Sequence, residues 1–208
     1  MKKFELISEF VTNVFGKKLF RIKALVSFGD VSAGELGGFV EKEENLSNNG
    51  NAWVSGNARV SGDARVSGDA LVSGNAQVSD NAWVSGNAWV SGNALVSGNA
   101  WVSGDALVSG NAQVSDNARV SGNAQVSGDA DFSVVTGFGR CFRATTFFRC
   151  KDKILRVQCG CFYGDLAKFR EIVKKTHGDS KYAKEYIAIA DLMELHFSDE
   201  EENQEADK

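Results

Sequence analysis

Asn51-Ala52-Trp53-Val54-Ser55-Gly56 opens a run that closes at Asn123-Ala124-Gln125-Val126-Ser127-Gly128, thirteen hexapeptides with no insertion. Self-similarity at so short a period decides the architecture before any other feature, and it predicts a parallel β-helix. Within Ala-x-Val, the alternation of a strand sends Ala and Val to one face and x to the other. Ala and Val never vary along the run, so they line the interior. The residue between them is Trp, Arg, Leu or Gln and faces out, as does the Ser after Val. Gly-Asn or Gly-Asp makes the corner, because positive φ is cheap for Gly and tolerated by Asn and Asp. One repeat cannot bury its own apolar face, but stacked coils share a continuous core.

The pattern resembles the hexapeptide-repeat left-handed β-helix, with an aliphatic residue at one position (Val54, Val60, Val66) and a small one at another (Ala58, Ala64, Ala70). The resemblance covers 51–128 and implies a mainly β fold. Its coil is triangular and built of three hexapeptides, so stacked neighbours lie 18 residues apart. Coils then repeat at the ~4.8 Å strand spacing. On that step the outward residues sort into three faces. The first carries Trp53, Leu71, Trp89, Leu107 and Gln125, the second Arg59, Gln77, Leu95 and Gln113, and the third Arg65, Trp83, Trp101 and Arg119. All four tryptophans therefore stand outside the prism wall, and the first face is an apolar ladder four coils tall. One corner column reads Asn51, Asp69, Asn87, Asp105, Asn123 and never places two Asp together. Either Asp is simply a minority there, or like charges at the coil spacing are avoided while Asn stacks in hydrogen-bonded ladders.

Outside the array the composition changes. All fourteen Phe lie there, and Pro is absent from the chain. No apolar run is long enough for a membrane span. The basic start Met1-Lys2-Lys3 is followed by Phe4-Glu5-Leu6 and not by a signal-peptide core. Four Cys without such a core fit a reducing compartment, so a cytoplasmic protein is expected. Net charge is −4, distributed as 0 over 1–50, −4 over 51–131, +5 over 132–197 and −5 over 198–208. Such asymmetry bears on partners and solubility, not on fold.

Residues 1–50 read as an N-terminal β cap and an irregular first coil. Segments 3–8 and 19–25 alternate like strands. They are expected to cover the open end of the helix, where a bare edge would template aggregation. Val40 and Leu46 are in phase with the array, and Asn48-Asn49-Gly50 adds two residues at a corner. Residues 51–131 are the β-helix and 132–197 a ββαα unit, expected to cap the last coil. Its hairpin pairs Thr145–Cys150 with Ile154–Cys159. Asp165 opens a helix with Leu166, Phe169, Ile172 and Val173 inward, stopping at Gly178, and Ser180 opens a second with Tyr182, Tyr186, Ile189, Met193 and Phe197 inward. Residues 198–208 read as a disordered acidic tail.

The stretch Gly34-Glu35-Leu36-Gly37-Gly38-Phe39-Val40-Glu41-Lys42-Glu43-Glu44-Asn45-Leu46-Ser47 before an Asn-Ala-Trp-Val-Ser array resembles hexapeptide-repeat proteins of bacteriophages and prophages. Cys159-Gly160-Cys161-Phe162, then His177-Gly178-Asp179, then Tyr182-Ala183-Lys184-Glu185-Tyr186 resembles their C-terminal part. This resemblance implies a phage-linked accessory protein and no particular reaction.

Enzymes of the hexapeptide fold include acyltransferases, which use a His base and usually a projecting loop, and γ-class carbonic anhydrases, which need three His ligands. Residues 51–128 contain no His and no inserted loop, so no enzyme of either type and no cofactor is expected. The Ala and Val interior leaves no buried cavity, so binding must use faces, corners, ends or a subunit interface. Cys141, Cys150, Cys159 and Cys161 lack a standard zinc spacing. The hairpin separates Cys150 from Cys159 by roughly 15 Å at ~3.3 Å per residue. Reduced thiols are expected, with Cys141, Cys159 and Cys161 as the only metal alternative. His177, next to Gly178, reads as a helix cap, and His196 likewise.

The Trp and Leu ladder is the functional signal, because a contiguous exposed apolar patch needs an explanation and Trp is a typical interface anchor. Trp53, Leu71, Trp89, Leu107, Trp83, Trp101, Arg65 and Arg119 are the expected contacts. The expected partners are further copies, giving a dimer or trimer, and a host protein that the chain blocks or sequesters, such as a defence component. Three alternatives stand beside this. They are a sponge for a small nucleotide-type ligand held between subunits, a structural scaffold, and nucleic-acid binding through Lys168, Arg170, Lys174, Lys175, Lys151 and Lys153.

Overall fold

Backbone hydrogen bonds tie each repeat to the one 18 residues on, as where Trp53 pairs with Leu71 in a parallel ladder. Trp53 N–H donates to Ala70 O at 3.0 Å and Ser55 N–H to Val72 O at 2.8 Å. The computed structural model describes residues 2–128, 132–150 and 152–198. They divide into two units, Met1–Asp129 and Ala130–Lys208.

The first unit is a parallel β-solenoid. Strands β1 (Phe4–Thr12), β2 (Lys18–Ala24) and β3 (Leu36–Val40) precede thirteen two-residue strands, β4 (Trp53–Val54) through β16 (Gln125–Val126). Three walls result: β16-β13-β10-β7-β4, β15-β12-β9-β6, and β1-β2-β3-β5-β8-β11-β14. Every Ala and Val of the repeats is at most 1% exposed. The outward residues sort onto the walls in the three columns that the 18-residue step gives. Each inward Val contributes roughly 1.5–3 kcal/mol of burial, which the coil above makes possible.

The corners explain themselves chemically. Asn57, Asn75, Asn93 and Asn111 link side chain to side chain at 3.4, 3.2 and 3.2 Å. In the mixed column Asn87 Nδ2 donates to Asp105 Oδ1 at 2.9 Å, and Asn51 N–H donates to Asp69 Oδ1 at 3.0 Å. A carboxylate beside a carboxylate would have no hydrogen to offer. Asp80 and Asp116 stand where other repeats have Gly and adopt φ of 60° and 59°. Asp80 Oδ2 accepts Gly98 N–H at 3.0 Å, which offsets part of the strain.

The N-terminal hairpin extends one wall, and the start of β1 also reaches the opposite corner of the first coil, where Lys3 N–H donates to Asn48 Oδ1 at 2.8 Å. β2 pairs antiparallel with β1 and β3, and β3 pairs parallel with β5. Phe4, Leu19 and Ile22 are buried. At Gly37 the Ile22 and Trp53 side chains and the Val54 carbonyl converge, leaving no space for a Cβ. Val40 pairs with Val60 and Leu46 with Val66, a step of 20 residues that absorbs the two-residue insertion at Asn48-Asn49-Gly50. Buried Asn45 bonds Gly62 O at 3.1 Å and Ala64 O at 2.8 Å, and its Oδ1 accepts Lys42 N–H at 2.9 Å. Lys3 Nζ reaches Ala52 O at 2.8 Å, and burial, opposed by Asp69, pulls its amine down to about 8.

The second unit has four strands, not the two expected: β17 (Phe132–Val135), β18 (Thr145–Arg149), β19 (Leu155–Cys159) and β20 (Phe162–Asp165), antiparallel in that order. Helices α1 (Leu166–His177) and α2 (Lys181–His196) follow. Asp165 Oδ1 accepts Lys168 N–H at 2.7 Å, Ser180 Oγ accepts Ala183 N–H at 3.4 Å, and Gly178 takes φ 55° to end α1. Phe147, Val157, Phe169, Val173, Tyr186 and Met193 form the core. Tyr182, expected inward, is exposed, and Ile172 is half-buried. The tail beyond Ser198 lies outside the described residues. Among the described residues no helix is long and apolar enough to cross a membrane.

Candidate functional site

The first wall stacks Trp53, Leu71, Trp89, Leu107 and Gln125 in register. Leu71 and Trp89 are 41% and 49% exposed, and Leu107 is half-buried. Trp53 departs from the expectation. It stands outside the prism wall but is only 3% exposed, because Phe28 packs edge-on against it at 5.5 Å. The irregular segment before the array has folded over the first rung. The accessible ladder is therefore Leu71, Trp89 and Leu107, and Trp53 is a core residue.

The wall of Arg65, Trp83, Trp101 and Arg119 carries a second aromatic surface. Trp83 and Trp101 are stacked, and the Arg119 guanidinium lies 5.2 Å from the Trp101 ring centroid. Arg65, on the other side of Trp83, makes no side-chain hydrogen bond or ion pair among the described residues. It lines a cleft of about 480 Å³ with Trp83, Ser47, Glu43 and Glu44. The wall of Arg59, Gln77 and Leu95 is polar by comparison, and the β1–β2 turn overhangs it with Val14 and Phe15.

Sequence reasoning missed what holds the indoles. Trp83, Trp89 and Trp101 donate Nε1–H to Ser67, Ser73 and Ser85 at 3.0, 3.0 and 3.2 Å. Each serine stands 16 residues earlier, on the preceding coil. The spacing was present in the sequence, and at Trp53 it falls on Gly37. Accordingly, the buried Trp53 Nε1 has no hydrogen-bond partner among the described residues. The bonded indoles are pre-ordered, which lowers the side-chain entropy lost on docking.

Several basic side chains of the second unit are already engaged. Lys168 pairs with Glu171 at 3.0 Å, and Arg170 clasps Asp191 and Glu194, both at 2.7 Å. Arg156 grips Asp152 through two bonds of 2.7 and 2.6 Å, holding that carboxyl down at about 2. Lys174 and Lys175 sit in the last turn of α1, where they complement the helix dipole. Lys153 occupies the β18–β19 turn at φ 61°. Lys151 lies outside the described residues.

Among the described residues no group of three or more His, Cys, Asp or Glu is placed to hold a metal. The structure thus does not assemble Cys141, Cys159 and Cys161 into a ligand set. Cys150 is buried, and burial pushes its thiol up. His177 ends α1 and stacks on Tyr186 at 5.9 Å, while His196 packs edge-on against Phe197.

The array is similar to one known family. Residues 52–67, 64–78, 76–92, 88–104 and 112–128 match the model of the YdcK beta solenoid repeat. The matches lie wholly inside the hexapeptide run and support a repeat β-solenoid. No curated protein matches the chain.

Proposed function

We propose that this solenoid is a non-catalytic binding protein that acts by occupancy, using its outer walls to hold other proteins. The observation that carries the reading is Trp89, half exposed at the middle of the row Leu71, Trp89, Leu107. A row of this kind on a flat wall suits a second prism, and self-association into a dimer or trimer is the first role assigned to it. The stacked Trp83 and Trp101, flanked by Arg65 and Arg119, supply a separate anchor on another wall. Trp and Arg are the residue types that dominate binding hot spots. The resemblance to phage and prophage proteins favours a host component, such as a defence protein in the bacterial cytoplasm, as the partner of this second wall. The absence of His from the array supports binding over catalysis.

Light scattering tests the first wall. The wild type is expected to exceed the monomer mass, and Trp89→Asp to fall to it. An unchanged mass in the variant removes self-association from this wall. Capture from host lysate tests the second: Trp83→Asp should lose a partner that Trp89→Asp retains.

A second reading is favoured by the cleft of about 480 Å³ beside Trp83 and Arg65. A nucleotide-type ligand could lay its base on the indole and its phosphate against the guanidinium. Melting-temperature shifts across a nucleotide panel decide it, because a ligand of the native state must stabilise that state.

A further inference from the structure

A cleft of about 210 Å³ lies within the C-terminal unit, between the β17–β18 loop, the end of β19 and α1. Its floor is aromatic: Phe162 and Phe169 have ring centroids 5.5 Å apart. Tyr186 closes one side, perpendicular to Phe169 at 5.8 Å and stacked beneath His177. The rim carries the Arg140 and Arg143 guanidiniums, and no carboxylate among the described residues lines the cleft. Neither arginine has a hydrogen bond or ion pair with a described residue. Glu185, which reaches the same loop, accepts Gly139 N–H at 3.0 Å.

Backbone geometry reserves the places of two of these side chains. Gly160, at φ 61°, leaves the space that Arg143 enters, since a Cβ there would lie 2.7 Å from Arg143 Nη1. Gly139, at φ 70°, does the same for the Tyr186 phenol, which a Cβ would overlap. Burial, then the neighbouring Cys159, pushes that phenol up to about 12, so it stays a neutral donor at physiological pH.

We propose that this cleft binds a small aromatic anion, a single ring bearing a carboxylate or phosphate. The ring rests on Phe162 and Phe169, and the anionic group lies between the Arg140 and Arg143 guanidiniums. Charge complementarity is one-sided: two permanent cations face an apolar floor. The guanidinium fork suits the paired oxygens of a carboxylate or phosphate better than a point anion. The volume falls below the ~300–1,000 Å³ of pockets for drug-sized molecules, which limits the occupant to about one ring.

Fluorine NMR on the full chain, with fluorobenzoate and with fluorophenyl phosphate as probes, tests the proposal. Saturable broadening is expected for at least one anion, and the tighter of the two identifies the head group. Neutral fluorobenzamide should bind roughly tenfold more weakly or not at all, and Arg143→Gln should weaken the anion by about the same factor. Arg140→Gln, at an exposed position, serves as the second variant if circular dichroism shows that Arg143→Gln is misfolded. No saturable binding of either anion, equal binding of the neutral amide, or unchanged affinity in a folded arginine variant overturns the proposal. Trp89→Asp, in the other unit, leaves this binding intact, so the cleft and the docking wall fail separately.

Discussion

Trp83 lies flat on Trp101, with ring centroids 5.1 Å apart and planes inclined by 3°. The coil length places them there, because the two residues pair directly across adjacent rungs. Offset stacking of this kind is worth ~0.5–1.5 kcal/mol beyond area burial. A double-mutant cycle of Trp83→Ala and Trp101→Ala, read by urea unfolding, should return a coupling in that range. Trp83→Ala combined with Trp89→Ala, on another wall with no shared partner, should be additive to within about 0.5 kcal/mol.

Trp53 is buried and its Nε1–H has no partner among the described residues. Truncation to Ala should cost about 3–5 kcal/mol through the cavity it leaves. Trp53→Phe should cost no more than about 1 kcal/mol, because losing a buried orphan donor recovers ~1–3 kcal/mol against the lost ring area. Chemical denaturation of the two variants checks the contrast, and equal losses would mean that the donor finds a partner.

Glu41 joins the irregular first coil to the array. Its Oε2 accepts Gly62 N–H at 2.7 Å and its Oε1 accepts from Lys17 Nζ at 3.0 Å. The Gly62 amide, more than Lys17, holds this carboxyl below the usual carboxylate range. A depressed carboxyl contributes stability above its unfolded pKa and loses it as the pH falls through the folded value. Glu41→Gln should therefore cost roughly 1–2 kcal/mol at neutral pH. Melting curves of wild type and variant should converge as the pH drops below about 4.3.

Gly98 sits at a corner with φ 67°, and a Cβ there would lie 2.8 Å from Asp116 N. Gly98→Ala should destabilise the solenoid by ~1–3 kcal/mol. Gly128, with no described residue within 4 Å of its Cβ position, should accept Ala within about 0.5 kcal/mol. Thermal unfolding of the two variants separates corner strain from a general loss of glycine.

The columns of the prism were legible because one spacing sets both register and face. Wherever that spacing stops, local pattern said less. Trp53 belongs to its column by number, yet its burial is decided by Phe28 in a segment with no period. The indole–serine bonds follow a 16-residue offset, which reflects side chains leaning across rungs and not the pairing of the backbone. β17 and β20 are four residues each. β20 follows the Gly160-Cys161 turn and ends at the cap of α1, so neither strand offered a long alternation. The C-terminal cleft gathers side chains from Arg140 to Tyr186. Only tertiary packing brings those together.

A six-residue unit wound into an 18-residue coil gives this chain something like a reading frame. Loss or duplication of a full turn would shorten or lengthen each wall and leave every column on its own side. Deleting one unit, such as residues 63–68, would rotate everything downstream by a third of a revolution. Leu71, Trp89 and Leu107 would then continue the wall now held by Trp83, on another side from the fixed N-terminal hairpin. Changes in length are tolerable in threes, and any other step reassigns which flank of the molecule meets its surroundings.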